Sequence, residues 1–238
     1  MPKKTSWLGD SNNKKRERFA VIGLGHFGGY VARTLYESGK EVIALDMDPE
    51  IVRDAAAFST NAVVVDATDR PALEAAGLGE VDVAVISLGE RMDIITLAAL
   101  HVKELGVPYV AVKALSEEHG RILKALGVDE IIHPEKDSAI RLGHRLAHQD
   151  LVDLLPLMPG YSIAQMRTPP EFVGKSLREL SLRNRLSVQL VAIQREGGSD
   201  RRVNILPKAE DVLLETDILF LLGEDRDLDR IREIAKGS

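Results

Sequence analysis

The 238-residue sequence has no cysteine and few aromatic residues, and both absences narrow the class of protein. Without cysteine there is no disulfide, no thiolate metal ligand and no thiol nucleophile, which fits a reducing cytosol. Aromatic residues make up only 4% of the chain, so its core must be built from Val, Ile, Leu and Ala. The formal net charge of -6 argues against a nucleic-acid-binding protein.

Long hydrophobic runs are missing too, since no apolar run approaches the ~20 residues that a membrane-crossing helix needs. Residues 1–17 form a basic tail, MPKKTSWLGDSNNKKRE, which lacks the apolar centre of a signal peptide. We therefore expect a cytoplasmic protein. The tail has two interpretations, which are a disordered, solvated leader and a segment that contacts anionic lipid or a membrane partner.

From Phe19 to about Pro134, short aliphatic runs alternate with longer amphipathic segments. The runs show no polar alternation, so both faces of their sheet should be covered. Strand–helix units in steady succession predict the α/β class, with a Rossmann-like, doubly wound parallel sheet. The predicted strands are FAVIG (19–23), EVIALD (41–46), AVVVD (62–66), VDVAVIS (81–87), PYVAVKA (108–114) and EIIH (130–133).

The pattern changes near residue 134. Residues 136–151 predict one long helix, and LLPLMPG (154–160) then brings two prolines and a glycine, which favour a boundary. Beyond it, alternating runs, a hairpin pattern around EGGSD (196–200) and a final helix at 225–236 predict a second, smaller α+β domain. The predicted parts are the tail at 1–17, a nucleotide-binding domain at 18–135, a crossover helix and linker at 136–159, and the second domain at 160–238.

A glycine-rich turn carries the first functional prediction. In FAVIGLGHFGG, the pattern Gly23-x-Gly25-x-x-Gly28 lies between a predicted strand and a predicted helix, the context that a dinucleotide-binding turn requires. Asp46 ends the second strand 21 residues after Gly25, where a carboxylate accepts from the ribose hydroxyls and repels a 2′-phosphate. The sequence therefore favours an adenine nucleotide without a 2′-phosphate over a glycine turn that binds nothing.

Two further polar residues end strands of the same sheet. Asp66 ends the third strand and has two interpretations, a contact with the adenine or ribose and a cap for the following helix. Lys113 ends the fifth strand, and it is either a counter-charge to the phosphates or an ordinary surface lysine.

The sequence offers little for chemistry on the bound nucleotide. A dehydrogenase needs a proton-transfer residue and a substrate pocket beside the nicotinamide, yet no histidine follows His148. His144 and His148 are four residues apart on a predicted helix, but no third metal ligand is evident, so we expect surface residues. A nucleotide bound without chemistry indicates a sensor.

Five motifs in order resemble one known family: FAVIGLGHFGG, LDMDPE, VVVDATD, VKA and IIHPEKD. They resemble the RCK (KTN) domain, and more narrowly the cytosolic regulatory subunits of Ktr/Trk-type bacterial potassium transporters. The match covers residues 18–150, and the chain from residue 160 resembles the family's C-terminal subdomain.

The resemblance implies a gating ring that is not an enzyme, an octamer built from dimers beneath a potassium-conducting membrane subunit. It implies ATP and ADP, or NAD(H) in some relatives, bound with opposite effects on activity. Gly23, Gly25 and Gly28 would hold phosphates, Asp46 the ribose and Asp66 the adenosine end. The full set of implied contacts is Gly23, Gly25, His26, Phe27, Gly28, Asp46, Met47, Asp66, Ala67, Thr68 and Lys113.

The resemblance also implies a divalent cation, Mg²⁺ or Ca²⁺, which Glu135 in HPEKD would help to hold near the phosphates. A hard cation prefers carboxylate and phosphate oxygens, which agrees with this role. The alternative for Glu135 is a helix-start carboxylate that faces the helix dipole.

His26 departs from the family pattern, because relatives often have arginine after the second glycine. There the arginine reaches the terminal phosphate of a neighbouring subunit's nucleotide. Imidazole is shorter, lacks the guanidinium fork and is mostly neutral at pH 7. We expect discrimination between ATP and ADP to be weaker, pH-dependent or supplied elsewhere.

The C-terminal subdomain of the family often binds cyclic di-AMP at a dimer interface. LSLRNRLSVQLVAI (180–193) resembles that region, with Arg183 matching a phosphate-contacting arginine and Pro207 lying where a pocket-lining proline is expected. Gln189 stands where some relatives have asparagine, and Leu186-Ser187 replaces a tyrosine–glycine pair. The alternative for Arg183 is an ordinary surface arginine.

Two other functions stay open on the sequence alone. One is a small NAD-dependent oxidoreductase, and the other is a nucleotide-sensing oligomer without a channel partner.

Overall fold

The computed structural model describes residues 16–147, 151–197 and 200–235. The chain divides into two compact units, the first ending at Pro134 and the second beginning at Glu135. Residues 1–15 of the predicted basic tail, together with His148, lie outside the described residues. In the part of the chain that is described, no helix has the length and hydropathy to cross a bilayer.

The first unit is a six-stranded parallel sheet with helices between successive strands. The strands run in the order β3-β2-β1-β4-β5-β6, the doubly wound order that reverses direction between β1 and β4. The predicted fold class is therefore confirmed. The strands are β1 (Arg18–Ile22), β2 (Glu41–Asp46), β3 (Asn61–Val64), β4 (Val83–Ile86), β5 (Tyr109–Lys113) and β6 (Glu130–Ile132), and the helices are α1 (His26–Glu37), α2 (Pro49–Ala55), α3 (Arg70–Ala75), α4 (Met92–Glu104) and α5 (Glu117–Ala125).

Both faces of this sheet are covered, which explains why its strands read as unbroken apolar runs. In β1, Ala20 and Ile22 pack into one core cluster and Val21 packs into another, because successive strand residues point to opposite faces. All three side chains are buried. Burial on two faces leaves the polar residues only at the strand ends, where the chain leaves the sheet.

The second unit is a smaller α+β domain around an antiparallel sheet of order β10-β9-β11-β8-β7. Its core is aliphatic, with Met166, Ile193, Leu219 and Leu221 fully enclosed. The strands are β7 (Leu151–Met158), β8 (Tyr161–Arg167), β9 (Gln189–Gly197), β10 (Asp200–Asn204) and β11 (Ile218–Glu224), and the helices are α6 (Pro134–Ala147), α7 (Leu177–Leu180), α8 (Leu182–Leu186) and α9 (Asp225–Ala235).

The prediction of a helix to Leu151 followed by a linker is wrong. Helix α6 is described as far as Ala147, and Leu151–Met158 forms β7, which pairs with β8. Pro156 is tolerated because β7 is an edge strand whose register shifts between Pro156 and Met158, so the missing N–H interrupts no full ladder. Gly160, at a φ of +82°, then makes the turn into β8.

Candidate nucleotide-binding site

The turn after β1 is built from glycines that other side chains could not replace. Gly23 has a φ of +87°, and a Cβ placed there would lie 2.3 Å from the Ser87 carbonyl oxygen. A Cβ at Gly28 would lie 1.8 Å from the Gly23 carbonyl oxygen. Helix α1 can therefore pack directly on the turn only while both positions are glycine.

Gly25 differs from these two, because the protein's own packing does not require a glycine there. Its φ is -59°, and apart from its chain neighbours and the backbone of its own helix no heavy atom of the described residues lies within 4 Å of its Cβ position. Gly25 is the N-cap of α1 but supplies no side-chain cap, so the first N–H groups of the helix keep free donor capacity. An open backbone at a helix N-terminus is suited to an anion such as a pyrophosphate.

Asp46 is fixed beside this turn by two backbone hydrogen bonds. Its Oδ2 accepts from the N–H of Leu24 at 2.7 Å, and its Oδ1 accepts from the N–H of Asp48 at 3.0 Å. The side chain is half-buried at the end of β2, and the next residue, Met47, is exposed. Each carboxylate oxygen can still accept another bond, so the residue can support the turn and also bind a hydroxyl.

Asp66 does not cap the helix that follows it. The N-cap of α3 is Asp69, whose side chain accepts from the N–H of Ala72 at 3.1 Å. Asp66 instead accepts from the N–H and the hydroxyl of Thr68, at 2.8 Å and 2.7 Å, and these bonds lower the pKa of its carboxyl. The capping alternative is thus wrong, and Asp66 presents an exposed, ionised carboxylate beside buried Ala67.

The predicted residues gather at one edge of the sheet. The six strands are parallel, so the turn after β1, Asp46, Asp66 and Lys113 all lie at their carboxyl ends. Lys113 is the last residue of β5, two strands from β1 and therefore about 10 Å across the sheet. The glycine turn marks the place where strand order reverses, which is where open α/β sheets bind ligands.

Glu135 lies in the first turn of α6, at the start of the second unit, and its side chain is exposed. Across residues 16–147, 151–197 and 200–235, no three His, Asp or Glu side chains gather as a metal site. The metal role of Glu135 stays a prediction.

A second candidate site, called the second pocket below, is a pocket of about 250 Å³ within the second unit. It brings together the three residues predicted for a cyclic dinucleotide, Arg183 from α8, Gln189 from β9 and Pro207 from the loop after β10. Ser181 and Ser187 flank α8, both with left-handed backbone at φ values of +45° and +56°. Arg183 is exposed, so its guanidinium is accessible to an anion.

Comparison with known families decides the classification. The TrkA-N domain matches residues 19–134, and the TrkA-C domain matches residues 163–236. The chain belongs to the TrkA-type RCK family.

Relatives of this TrkA-type chain match it over nearly its whole length. Ktr system potassium uptake protein C of Bacillus subtilis (strain 168) is 34% identical over 218 residues, covering 92% of this chain and 97% of that protein. Ktr system potassium uptake protein A of the same organism is 32% identical over 216 residues, covering 91% and 96%. The crystal structure of the GsuK RCK domain, at a TM-score of 0.50 and 22% identity, covers 94% of this chain and 47% of that chain, and it supports the fold.

Two features of the TrkA-N domain escaped sequence reasoning. The carbonyl of Ser87, directly after β4, closes over Gly23, and this contact depends on the pairing of β4 with β1. His119 is buried, with 1% of its surface exposed, although its surroundings in the sequence look like an ordinary helix start. Both depend on contacts between segments distant in the chain.

Proposed function

We propose that this protein is a regulatory, non-enzymatic subunit of a potassium uptake system and that an adenine nucleotide at the glycine turn is its signal. Its similarity to the Ktr potassium uptake proteins runs through both domains, which supports a shared role for the whole chain. The observation that best supports a bound nucleotide is the open backbone at Gly25, because the packing of the protein itself does not require a glycine there.

ATP and ADP are the proposed ligands, with NAD(H) as the alternative. The phosphates would bind the turn at Gly23, Gly25 and Gly28 and the N-terminus of α1 at His26 and Phe27. The ribose would bind Asp46, whose fixed carboxylate disfavours a 2′-phosphate. The remaining contacts would come from Met47 and Lys113 and, at the adenosine end, from Asp66, Ala67 and Thr68.

A divalent cation, Mg²⁺ or Ca²⁺, would accompany the terminal phosphates. Glu135 is the carboxylate proposed to help hold it, because carboxylate and phosphate oxygens together suit a hard cation. The cation and the γ-phosphate bring charge that ADP lacks. That charge supplies the differential affinity without which no ligand can shift a conformational equilibrium.

Cyclic di-AMP is the proposed ligand of the second pocket. At about 250 Å³ the pocket is smaller than the ~300–1,000 Å³ typical of sites that enclose a drug-sized ligand. We therefore propose that each chain supplies half of the site and that the ligand bridges two copies, with Arg183 on a phosphodiester.

The proposed mechanism is a population shift in a ring of subunits, an octamer built from dimers. The nucleotide with its cation favours one ring shape, and the ring transmits that shape by contact with a membrane-embedded, potassium-conducting partner. The protein would thus work in the cytoplasm, against the inner face of the membrane.

Calorimetric titration with ATP, ADP, NADH and cyclic di-AMP, with and without Mg²⁺ or Ca²⁺, tests the assignment. We expect ATP and ADP to bind with different affinities, and cyclic di-AMP to bind wild type but not Arg183→Ala. If cyclic di-AMP binds both proteins with equal affinity, the second pocket is not its binding site. Turnover of NADH in a spectrophotometric screen would favour the oxidoreductase, and failure to co-purify with a potassium transporter would favour a standalone sensor.

A further inference from the structure

His119 is enclosed between the loop after β5 and helix α4, with both ring nitrogens facing a partner. The N–H of Leu115 donates to Nδ1 at 3.5 Å, a long hydrogen bond. Nε2 lies 3.5 Å from the hydroxyl oxygen of Thr96 on α4. With 1% of its surface exposed, the ring cannot exchange either partner for water without a local opening.

These partners assign the tautomer of the ring. The Thr96 hydroxyl already donates to the carbonyl of Met92 at 2.7 Å, so its oxygen accepts from Nε2–H. The Leu115 N–H can only donate, so Nδ1 must be unprotonated. The packing therefore fits a neutral imidazole with its proton on Nε2.

Protonation of His119 would place an N–H on Nδ1, opposite the N–H of Leu115. Burial lowers the pKa of the ring, and the charge of His133, which follows β6, lowers it further. The acidic residues in the first turn of α5, Glu117 and Glu118, are exposed, and α4 presents the uncharged Thr96. The structure thus stabilises the neutral ring, and a proton would break the contact with the loop.

That loop leads directly from Lys113, the predicted phosphate contact. Ala114 is held by its N–H, which donates to the carbonyl of Ile132 at 2.9 Å, and Leu115 is held by its bond to His119. Leu115 is two residues from Lys113, so release of its N–H loosens the loop as far as the Ala114–Ile132 bond beside the lysine.

We propose that His119 is a positioning residue, whose neutral ring holds the loop at residues 114–116 so that Lys113 can contact the nucleotide phosphates. This inference rests on the proposed nucleotide site. Nucleotide binding accordingly weakens at acid pH, below the ordinary imidazole range of ~6.5, when His119 takes up a proton.

The test compares ADP affinity by calorimetry from pH 7.5 to pH 5.5 in wild type and three variants. His119→Asn keeps an acceptor near the position of Nδ1 but does not titrate, and His119→Leu removes the acceptor. His101→Asn, on α4, is the control for loss of a histidine elsewhere. Changes in the protonation of ADP itself are common to all four proteins and cancel in the comparison.

We expect wild type and His101→Asn to lose affinity by up to about tenfold per pH unit, the limit for one coupled proton. His119→Asn should have a flatter profile, and His119→Leu should bind weakly throughout. Identical profiles of ADP affinity against pH in wild type and His119→Asn overturn the role of His119 but not the nucleotide site. Absence of ADP binding at pH 7.5 overturns the proposed nucleotide site itself.

A measurement without ligand tests the loop itself. Hydrogen-exchange protection of the Leu115 amide should fall as pH decreases in wild type and should stay constant in His119→Asn. Protection that is independent of pH in wild type contradicts the proposal.

Discussion

Gly25 and Gly28 occupy one turn but are glycine for different physical reasons. A Cβ at Gly28 would lie 1.8 Å from a backbone oxygen, whereas one at Gly25 would have no described residue within 4 Å apart from its chain neighbours and its own helix. We predict that Gly25→Ala keeps the free energy of unfolding within about 0.5 kcal/mol of wild type. Its ADP affinity should fall at least about tenfold, because the methyl group occupies the space of the phosphates. Thermal unfolding and calorimetric titration measure the two quantities.

Gly28→Ala is the matched control, and it should lose stability by about 3 kcal/mol because α1 must move away from the turn. An unchanged ADP affinity in folded Gly25→Ala contradicts the placement of the phosphates.

His26 supplies the second prediction at this scale. His26 is the first residue of α1, and its imidazole is exposed. We predict that His26→Arg raises the ratio of ATP to ADP affinity, because a guanidinium pairs bidentately with a terminal phosphate and stays charged. Titration of both nucleotides into both proteins measures the ratio. Identical ratios in the two proteins refute the idea.

Ser187 supplies the third prediction, because it holds a φ of +56°, a backbone region that favours glycine. Left-handed backbone costs a residue with a Cβ about 1–2 kcal/mol, and the greater unfolded-state freedom of glycine offsets part of any gain. Ser187→Gly should therefore raise the free energy of unfolding by about 0.5–1 kcal/mol, seen as a higher melting temperature. Ser176→Gly, at the ordinary φ of -75° in a capping box, should lower it. A fall in stability for Ser187→Gly would contradict the argument.

At the residue scale, spacing in the sequence predicted the turn at Gly23, Gly25 and Gly28 and the position of Asp46 at the end of β2. Both could be predicted because a strand–turn–helix motif is local. The bond from Leu24 to Asp46 and the burial of His119 could not be predicted in this way. Both arise from segments that meet only after the sheet has formed.

At the scale of elements, helices α2 and α3 have the same kind of N-cap, an aspartate side chain. Asp48 and Asp69 each precede a helix with proline in its first turn, and each accepts from a backbone N–H there. We predict that Asp69→Ala lowers the free energy of unfolding by about 1 kcal/mol, because the N–H of Ala72 loses its acceptor. Chemical denaturation measures this cost.

Asp66→Ala is the comparison, since Asp66 is the exposed carboxylate that does not cap α3. Its stability should change less than that of Asp69→Ala, while its affinity for ADP should fall. The reverse order of stabilities would contradict the assignment of the cap.

The prediction of strands and helices succeeded where the sequence pattern was local. It failed where pairing between strands determined the secondary structure. The six strands up to Pro134 lie within a few residues of their predicted bounds, because each aliphatic run is followed by an amphipathic one. In Leu151–Met158 the proline suggested a linker, yet pairing with β8 makes an edge strand of it. A single sequence shows the proline, but it does not show whether the strand that contains it will lie at the edge of a sheet or in its interior.

At the scale of the whole molecule, a regulatory subunit must convert a small change in ligand into a change in shape. Moving a two-state ring from 1:99 to 99:1 takes about 5.5 kcal/mol of differential binding, which many identical sites can share. The charge difference between ATP with its cation and ADP is the proposed source. In the proposed function the nucleotide is a signal, and no bond in it is made or broken.

Titration of the purified chain with ATP and with ADP, followed by chromatography of the recovered nucleotide, tests this central claim most directly. The account predicts that both nucleotides bind, with different affinities, and that each is recovered unchanged after prolonged incubation. Absence of binding by either nucleotide, or steady conversion of one into product, would contradict it.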